Sequence, residues 1–224
     1  MKFAREGRAL ILATAGVALV AFVAAAAWGH GLGWAVAALC AASAAAVAFF
    51  FRDPERRGPR GPGIVVAAAD GRVVGVRTVD EPMYLGGPAH RIAIFLSIAD
   101  VHVNRYPVSG VVERKLYHRG RFGLAWREEA GEENERATLG FESPHGRVLV
   151  RQIAGRVARR VITYAEVGDR VEQGERMGII KFGSRLETFV PTSARVAVRE
   201  GDTVRAGVTV IARWDRADAD EVQP

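Results

Sequence analysis

The stretch GDRVEQG at residues 168–174 recurs as GDTVRAG at residues 201–207. The shared pattern, GDxVxxG, places a glycine on each side of a short segment that contains valine. Glycine adopts backbone angles that other residues resist, so each copy suits a turn that enters a short strand and leaves it through a second turn. The repeat therefore predicts two similar β elements towards the C-terminal end of the chain.

This repeat resembles the hammerhead strands of biotinyl and lipoyl carrier domains, which are flattened β sandwiches with quasi-symmetric halves. The resemblance implies a barrel-sandwich-like domain. A carrier domain needs an exposed lysine at a hairpin tip between its halves, whereas this chain has KFGSR, residues 181–185, between the repeats. The repeat is therefore interpreted as architecture, and a membrane-tethered carrier or adaptor is kept as an alternative function.

Outward from the repeats, the chain after residue 63 consists of short β-branched runs divided by turn residues. The runs predicted to be strands are residues 64–67, 72–76, 91–96, 108–114, 148–153, 159–163 and 177–181. No stretch sustains a helical period for long, apart from a short turn around residues 97–103. These features predict a mostly β domain over residues 64–224.

The first quarter of the chain is apolar, because residues 9–28 and 34–51 carry no charge and are separated by a glycine-rich break. Each run is roughly the ~20 residues that a helix needs to cross a bilayer. Lys and Arg flank the pair and are absent from the break, which predicts a helical membrane hairpin, residues 1–52, with both ends in the cytoplasm. Residues 53–63 are predicted to be a linker, and the β domain then lies on the cytoplasmic side of the cell membrane. The alternatives are a secretory signal peptide and a hairpin that dips into one leaflet.

The charge of the chain suits an anionic partner, since its 224 residues carry a formal charge of +6. An anionic membrane surface and nucleic acid both qualify. Aromatic and basic residues are not interleaved as a nucleic-acid platform requires, so no nucleic-acid partner is predicted. The single cysteine, Cys40, excludes a disulfide framework. His90, His118 and His145 lack metal-ligand spacing, so no metal is predicted.

Four short motifs follow one another along the chain. They are FRDP at residues 51–54, ADG at 69–71, FLSIADVHVNRYP at 95–107 and FGSR at 182–185. A Gly-Ser pair alone usually marks a turn, and the histidine motif alone fits a surface loop. Together and in this order they resemble the phosphatidylserine decarboxylases, specifically the compact branch with a short membrane-anchored large chain.

The resemblance implies a proenzyme that cuts itself between Gly183 and Ser184. The Ser184 hydroxyl attacks the Gly183 carbonyl, the resulting ester eliminates, and hydrolysis leaves a pyruvoyl group. The large chain, residues 1–183, and the small chain, residues 184–224, then associate as a heterodimer. The pyruvoyl carbonyl forms a Schiff base with phosphatidylserine and accepts the electron pair that CO2 leaves behind, yielding phosphatidylethanolamine without a dissociable cofactor. An ether-linked serine phospholipid is the alternative substrate.

Self-cleavage needs a base near the weakly nucleophilic hydroxyl, and His102 is the candidate, with the Asp70 carboxylate orienting it. Longer relatives have a second histidine where this chain has Arg105. His102 therefore serves both self-cleavage and later proton transfer, or Asp100 shares the first task. The structural alternative is that His102 caps a loop and Asp70 lies in an Asp-Gly turn. The candidates for holding the substrate phosphate are Arg105, Arg114 and Arg185.

Overall fold

The structure of the chain is a computed structural model that describes residues 2–120, 134–155, 161–180 and 184–214. It contains two compact units, one ending at Glu55 and the other beginning at Arg56. The first unit is a helical hairpin, in which α1 spans Arg8–Trp28 and α2 spans Gly31–Phe50. A 3-10 turn at Arg5–Gly7 precedes α1, and the short strands β1 (Lys2–Phe3) and β2 (Arg52–Asp53) pair with each other.

The hairpin turns sharply because Gly29 adopts the left-handed conformation, with a φ of 67°. Its N–H donates to the Ala25 carbonyl oxygen at 2.9 Å and ends α1. Both helices are long and apolar enough to cross a membrane, and large apolar side chains such as Leu12 and Leu19 are exposed along them. The predicted pair of apolar helices is therefore confirmed, and it is consistent with membrane association.

Within the described residues, the second unit has fourteen strands. They are β3 (Ile64–Val66), β4 (Gly71–Glu81), β5 (Gly87–Leu96), β6 (Val103–Arg105), β7 (Gly110–His118), β8 (Arg136–Ser143), β9 (Gly146–Ile153), β10 (Val161–Thr163), β11 (Arg170–Val171), β12 (Arg176–Ile180), β13 (Ser184–Pro191), β14 (Ala194–Val196), β15 (Thr203–Val204) and β16 (Val210–Trp214).

Eight of these strands form a curled sheet in the order β11-β7-β8-β9-β13-β5-β4-β15, and its neighbours are antiparallel. Two three-stranded sheets, β10-β12-β6 and β14-β16-β3, complete the domain. Alternate residues of the curled sheet, such as Ile94, Leu186 and Val150, belong to the main hydrophobic core. Met177 and Ile211 from the small sheets belong to the same core, so the core lies between the curled sheet and the small sheets.

The two GDxVxxG repeats form β11 and β15, which lie at opposite edges of the curled sheet. In the first repeat, the Gly168 N–H donates to the Val112 carbonyl oxygen at 2.8 Å, and the Val112 N–H returns a bond to the following aspartate carbonyl at 2.9 Å. Gly201 and Val73 repeat this pair of bonds at 2.8 and 2.9 Å in the second copy. The four repeat glycines have φ between 68° and 96°. The repeats are therefore architectural, as predicted.

The predicted mostly β fold class is confirmed, and each of the seven predicted runs contains a strand. Residues 159, 160 and 181 of those runs lie outside the described residues. The predicted turn after residue 97 is closed by the Asp100 N–H, which donates to the Ser97 carbonyl oxygen at 3.0 Å. Within the described part of the second unit, the sequence reasoning missed five strands, β6, β8, β13, β14 and β16. In β13 the charged side chains of Arg185 and Glu187 are both buried and contact each other, so they do not interrupt the strand.

Candidate active site

Two of the predicted motifs meet at the C-terminal end of β5. Ser184, the first residue of β13, pairs with Leu96, the last residue of β5. On the other side of β5, Arg72 of β4 pairs with Phe95, so Asp70 lies just beyond the same end. Neighbouring strands are about 4.8 Å apart, and the backbones of β4 and β13 are therefore separated by roughly 10 Å across β5. That gap is too wide for a direct bond between the Asp70 carboxylate and the Ser184 hydroxyl.

The Asp-Gly pair owes its position to the glycine. Gly71 has a φ of 144°, and a Cβ atom there would lie 2.1 Å from the Phe95 carbonyl oxygen. Any side chain would push the beginning of β4 away from β5. Glycine at position 71 therefore allows Asp70 to lie close to the end of β5.

His102 reaches the same place through the connection that follows β5. Its carbonyl oxygen accepts a bond from the Ile180 N–H at 3.4 Å, and Val103 pairs with Ile179 of β12. β12 thus ends beside His102, and only three residues separate its last residue, Ile180, from Ser184. The β5-to-β6 connection therefore leads from the end of the curled sheet to the small sheet that contains β12, and it carries His102.

The environment of His102 favours one form of its ring. The side chain is fully buried, and Nδ1–H donates to the Asp100 carbonyl oxygen at 3.0 Å. That bond assigns the proton of the neutral ring to Nδ1 and leaves Nε2 as the nitrogen that accepts a proton. The Asp100 carboxylate accepts bonds from the Ser97 N–H at 2.8 Å and the Ser97 hydroxyl at 2.6 Å, which hold the turn that carries His102.

Ser184 is fully buried, and among the described residues its Oγ atom has no hydrogen-bond partner. A buried hydroxyl left without a partner costs about 1–3 kcal/mol. Serine is therefore a poor choice for this strand position on grounds of stability alone, which makes Ser184 a candidate functional residue. Its predicted cleavage partner, Gly183, lies outside the described residues.

Asp70 is buried and already has two partners. One carboxylate oxygen accepts a bond from the Arg56 guanidinium at 2.5 Å, and the other accepts the Ala206 N–H at 2.8 Å. Burial raises the pKa of the Asp70 carboxyl above its ordinary value of 3.8. The bonds from Ala206 and Arg56 lower the pKa, but burial has the larger effect. The sequence reasoning did not connect Arg56 with Asp70, and the orientation of His102 by Asp70 stays a prediction.

Two of the three arginines predicted to hold a phosphate, Arg105 and Arg185, are buried. The Arg105 guanidinium donates to the carbonyl oxygen of Gly174, a repeat glycine, at 2.8 Å. Arg185 contacts the carboxylate of Glu187. Arg185 and Ser184 are successive strand residues and point to opposite faces of the curled sheet.

The face that carries Arg185 has further arginines around the same carboxylate. Glu187 is fully buried, with Arg151 at 3.5 Å and Arg91 at 3.8 Å from its oxygens. The third arginine that the sequence reasoning weighed, Arg114, donates to the Met83 carbonyl oxygen at 2.6 Å.

Two buried amides, Asn104 and Gln152, were missed as candidate functional residues; Gln152 pairs with Leu186, two residues from Ser184, and is bonded to Asn104. Asn104 lies in the histidine motif, two residues after His102, which is a signal that could have been used. Gln152 lies in β9, and nothing in its local sequence marks it.

A mostly β domain with a buried serine, a buried histidine and a buried aspartate at one end of its curled sheet defines a candidate enzyme. Comparison with known proteins is more specific. The family model described as phosphatidylserine decarboxylase matches residues 44–212. The chain belongs to this family, and the predicted enzyme class, a decarboxylase, is confirmed.

Several relatives are named phosphatidylserine decarboxylase proenzyme. The protein of Symbiobacterium thermophilum is 50% identical over 211 residues, which cover 94% of each chain. Those of Salinibacter ruber and Carboxydothermus hydrogenoformans are 51% and 46% identical, each over 75% of this chain and over 75% and 79% of their own length. The word proenzyme in these names fits the cleavage that the resemblance implies for the Gly-Ser pair.

Proposed function

We propose that this protein converts phosphatidylserine to phosphatidylethanolamine and CO2, using a pyruvoyl group that it makes from its own Ser184. Membership of the family supports the reaction. The observation that carries the residue assignment is the burial of Ser184 at the end of β5, with its Oγ atom lacking a partner among the described residues. The carrier alternative predicts an intact chain, and the family match disfavours it.

The proposed self-cleavage balances with one molecule of water. The Ser184 Oγ bonds to the Gly183 carbonyl carbon as the C–N bond breaks, and the hydroxyl proton passes through a base to the leaving nitrogen. The ester then loses the Gly183 carboxylate and the α-proton of Ser184. Water replaces the nitrogen, which departs as ammonia, and the small chain begins with a carbonyl group. Glycine before the serine minimises crowding at the attacked carbonyl.

His102 is the proposed base, because its Nδ1 is held by the Asp100 carbonyl and its Nε2 carries the lone pair. Asp70 and Arg56 form a partly buried ion pair at the same end of the sheet. We assign Asp70 to the electrostatic support of His102 when the ring gains a proton, since a carboxylate nearby favours the charged form. His102 is also the proposed acid that protonates the product carbon.

The pyruvoyl carbonyl would supply the electron sink for loss of CO2 from an amine-bearing substrate. That group would lie at the first position of β13, where Ser184 stands. This strand pairs with β5 over residues 184–191 and with β9 over residues 185–189, so it is internal to the curled sheet. The small chain also supplies β14, β15 and β16 to the sheets. These hydrogen bonds would keep residues 1–183 and 184–224 together as a heterodimer after cleavage.

For the substrate phosphate we propose Arg105 and Arg185 as unranked candidates, because each already has a partner: Arg105 donates to the Gly174 carbonyl oxygen, and Arg185 contacts Glu187 on the sheet face opposite to Ser184. Replacement Arg185→Lys keeps the charge but loses the planar donor geometry. It should raise KM for dispersed phosphatidylserine with a smaller effect on kcat. An unchanged KM would contradict the assignment.

We also propose that residues 1–52 insert into the cell membrane, that residues 53–63 link them to the domain formed by residues 64–224, and that this domain acts on the cytoplasmic side. The lipid substrate makes this arrangement useful, because withdrawing acyl chains from a bilayer costs about 0.8 kcal/mol per CH2. Labelling of single cysteines introduced after residue 56 in sealed, right-side-out vesicles tests the side. Labelling of these cysteines by a membrane-impermeant reagent added outside the vesicles would contradict the cytoplasmic placement of the domain.

The main experiment compares the intact mass and gel mobility of wild type, Ser184→Ala and Ser193→Ala. Wild type should yield chains 1–183 and 184–224, and the small chain should carry a blocked N-terminus that reacts with hydrazine reagents. Ser184→Ala should stay uncut and inactive. Ser193→Ala changes an exposed serine in the turn after β13 and should cleave like wild type. A single full-length species in active wild-type preparations would refute the proposal.

Replacement of His102 separates its two proposed roles. With His102→Ala, cleavage should be slow and the cleaved fraction should not decarboxylate. If the cleaved His102→Ala fraction turned over normally, the assignment of His102 as the acid of the decarboxylation step would be wrong.

A further inference from the structure

Two fully buried amide side chains, Asn104 of β6 and Gln152 of β9, form a pair inside the core. The Gln152 Nε2–H donates to the Asn104 Oδ1 at 2.7 Å. The pair contains one donor, the Asn104 Nδ2, and one acceptor, the Gln152 Oε1, without a hydrogen-bond partner among the described residues.

The strand register places this pair beside Ser184. Gln152 pairs with Leu186, two residues along β13 from Ser184, so Gln152 and Ser184 share the core face of the curled sheet. Such diagonal neighbours have Cα atoms about 7–8 Å apart. Asn104 is bonded to Gln152 and follows His102 by two residues. The amides and the serine therefore occupy one buried region, and each contains a polar atom without a partner among the described residues.

Buried polar atoms without partners destabilise a fold, so an arrangement that contains three of them calls for a chemical reason. A neutral N–H donor beside an attacked carbonyl stabilises the negative charge that develops on the carbonyl oxygen. The Asn104 Nδ2 carries neutral N–H groups that could serve as such a donor. Because the Asn104 Oδ1 already accepts the bond from Gln152, the amide is held with its N–H groups on the remaining side.

We propose that Asn104 is a catalytic residue of the self-cleavage step and that Gln152 is its positioning residue. The inference rests on the proposed self-cleavage at Ser184. As the Ser184 Oγ bonds to the carbonyl carbon of the preceding residue, the carbonyl oxygen takes up the negative charge and the Asn104 Nδ2–H donates to it. The charge returns to form the ester carbonyl when the C–N bond breaks and the nitrogen takes the proton. Gln152 keeps the donor aimed through its bond to Oδ1.

The first test is Asn104→Asp at pH 8, which keeps the size of the side chain and the oxygen that accepts from Gln152 but removes the N–H donors. Self-cleavage is followed after pulse-labelled cell-free synthesis of the full chain with lipid vesicles. Loss of one such donor typically slows a reaction by about 10²–10³-fold, and that fall is expected here. Cleavage within threefold of wild type by a folded Asn104→Asp chain would overturn the proposal.

The second test, Gln152→Glu, distinguishes positioning from general damage to the core. Above its own pKa the new carboxyl has no proton to donate to Oδ1, so cleavage should be about 10-fold slower than in wild type at pH 8. Lowering the pH protonates the carboxyl and restores a donor, so the ratio to the wild-type rate should recover. A ratio that stays constant with pH would overturn the positioning role, and this test decides the matter if Asn104→Asp does not fold.

The matched control is Thr188→Val. Thr188 is fully buried on the same face of β13, and among the described residues its hydroxyl has no partner, but it lies four residues from Ser184. It should cleave at the wild-type rate, and slowing equal to that of Asn104→Asp would overturn the proposal. Wild type that fails to split would refute self-cleavage itself. If wild type is cleaved and both amide variants are cleaved at the wild-type rate, only the role of the amides would be refuted.

Discussion

A substitution at Gly71 tests whether β4 approaches β5 closely at the end of the sheet where Asp70 lies. Replacement Gly71→Ala places a Cβ atom 2.1 Å from the Phe95 carbonyl oxygen and 3.2 Å from the Ile94 Cγ2 atom. The residue also has a φ of 144°, which side chains other than glycine resist. A conformation of that kind costs about 1–3 kcal/mol, and overpacking against a neighbour costs a further 1–3 kcal/mol or so.

The sum is about 2–6 kcal/mol, and we expect a loss near 4 kcal/mol. For a domain of this size, 1 kcal/mol shifts Tm by about 2–4 °C, so Tm should fall by roughly 8–16 °C. Circular dichroism melts in detergent measure this, with Ser184→Ala as the common background so that cleavage does not complicate the transition. With Ser184 restored, cleavage of Gly71→Ala should also slow, because Phe95 precedes the residue that pairs with Ser184.

Gly75→Ala is the matched control in the same strand, β4. No atom lies within 4 Å of a Cβ built at Gly75, and its φ is not in the left-handed range. The variant should melt within about 3 °C of the background, with any shift upward, because alanine restricts the unfolded chain more than glycine does. If Gly71→Ala and Gly75→Ala melted at the same temperature, the close approach of β4 to β5 would be refuted.

Three further outcomes are expected. Glu187→Ala removes the buried carboxylate that Arg151 and Arg185 contact, and it should destabilise the domain by about 3–5 kcal/mol in urea denaturation; a loss under 1 kcal/mol would contradict this. Thr188→Val removes a buried hydroxyl with no partner among the described residues, so Tm should stay or rise, and a large fall would show that the hydroxyl is bonded. Burial raises the pKa of the Asp70 carboxyl, so native protein binds that proton at higher pH than unfolded chain does. The contribution of Asp70 to the free energy of unfolding is then greatest below about pH 3.8, and it falls as the pH rises through the pKa of the native protein. Wild type should therefore gain stability relative to Asp70→Asn as pH falls from 7 towards 4, and a constant difference would contradict the raised pKa.

Some of the fold could be predicted because its signals are local. A run of about 20 apolar residues suits a membrane whatever follows it, and a GDxVxxG repeat sets turns through glycine alone. β13 could not be predicted in this way. Arg185 and Glu187 look like surface residues in the sequence, and only their contact with each other inside the protein makes a buried strand possible.

Some residues of the candidate site could likewise be predicted from the sequence, and others could not. Ser184 and His102 were identified because four motifs in this order resemble the phosphatidylserine decarboxylases, whereas the Gly-Ser pair or the histidine motif alone would have indicated only a turn or a loop. Arg56 as the partner of Asp70 was not identified, because the two are joined only when the chain folds back over fourteen residues. Gln152 was missed for a similar reason.

By itself, the sequence of this protein determined the helical hairpin, the mostly β class, the repeats and the Gly-Ser pair. Each depends on the properties of residues that are close together in the chain. The tertiary structure decided which polar groups surround Ser184, because that depends on register: β13 pairs with β5 on one side and β9 on the other, and a shift of one residue would turn Ser184 out of the core and away from Gln152. Hydrogen bonds between strands that are distant in sequence set that register, and no short motif contains them.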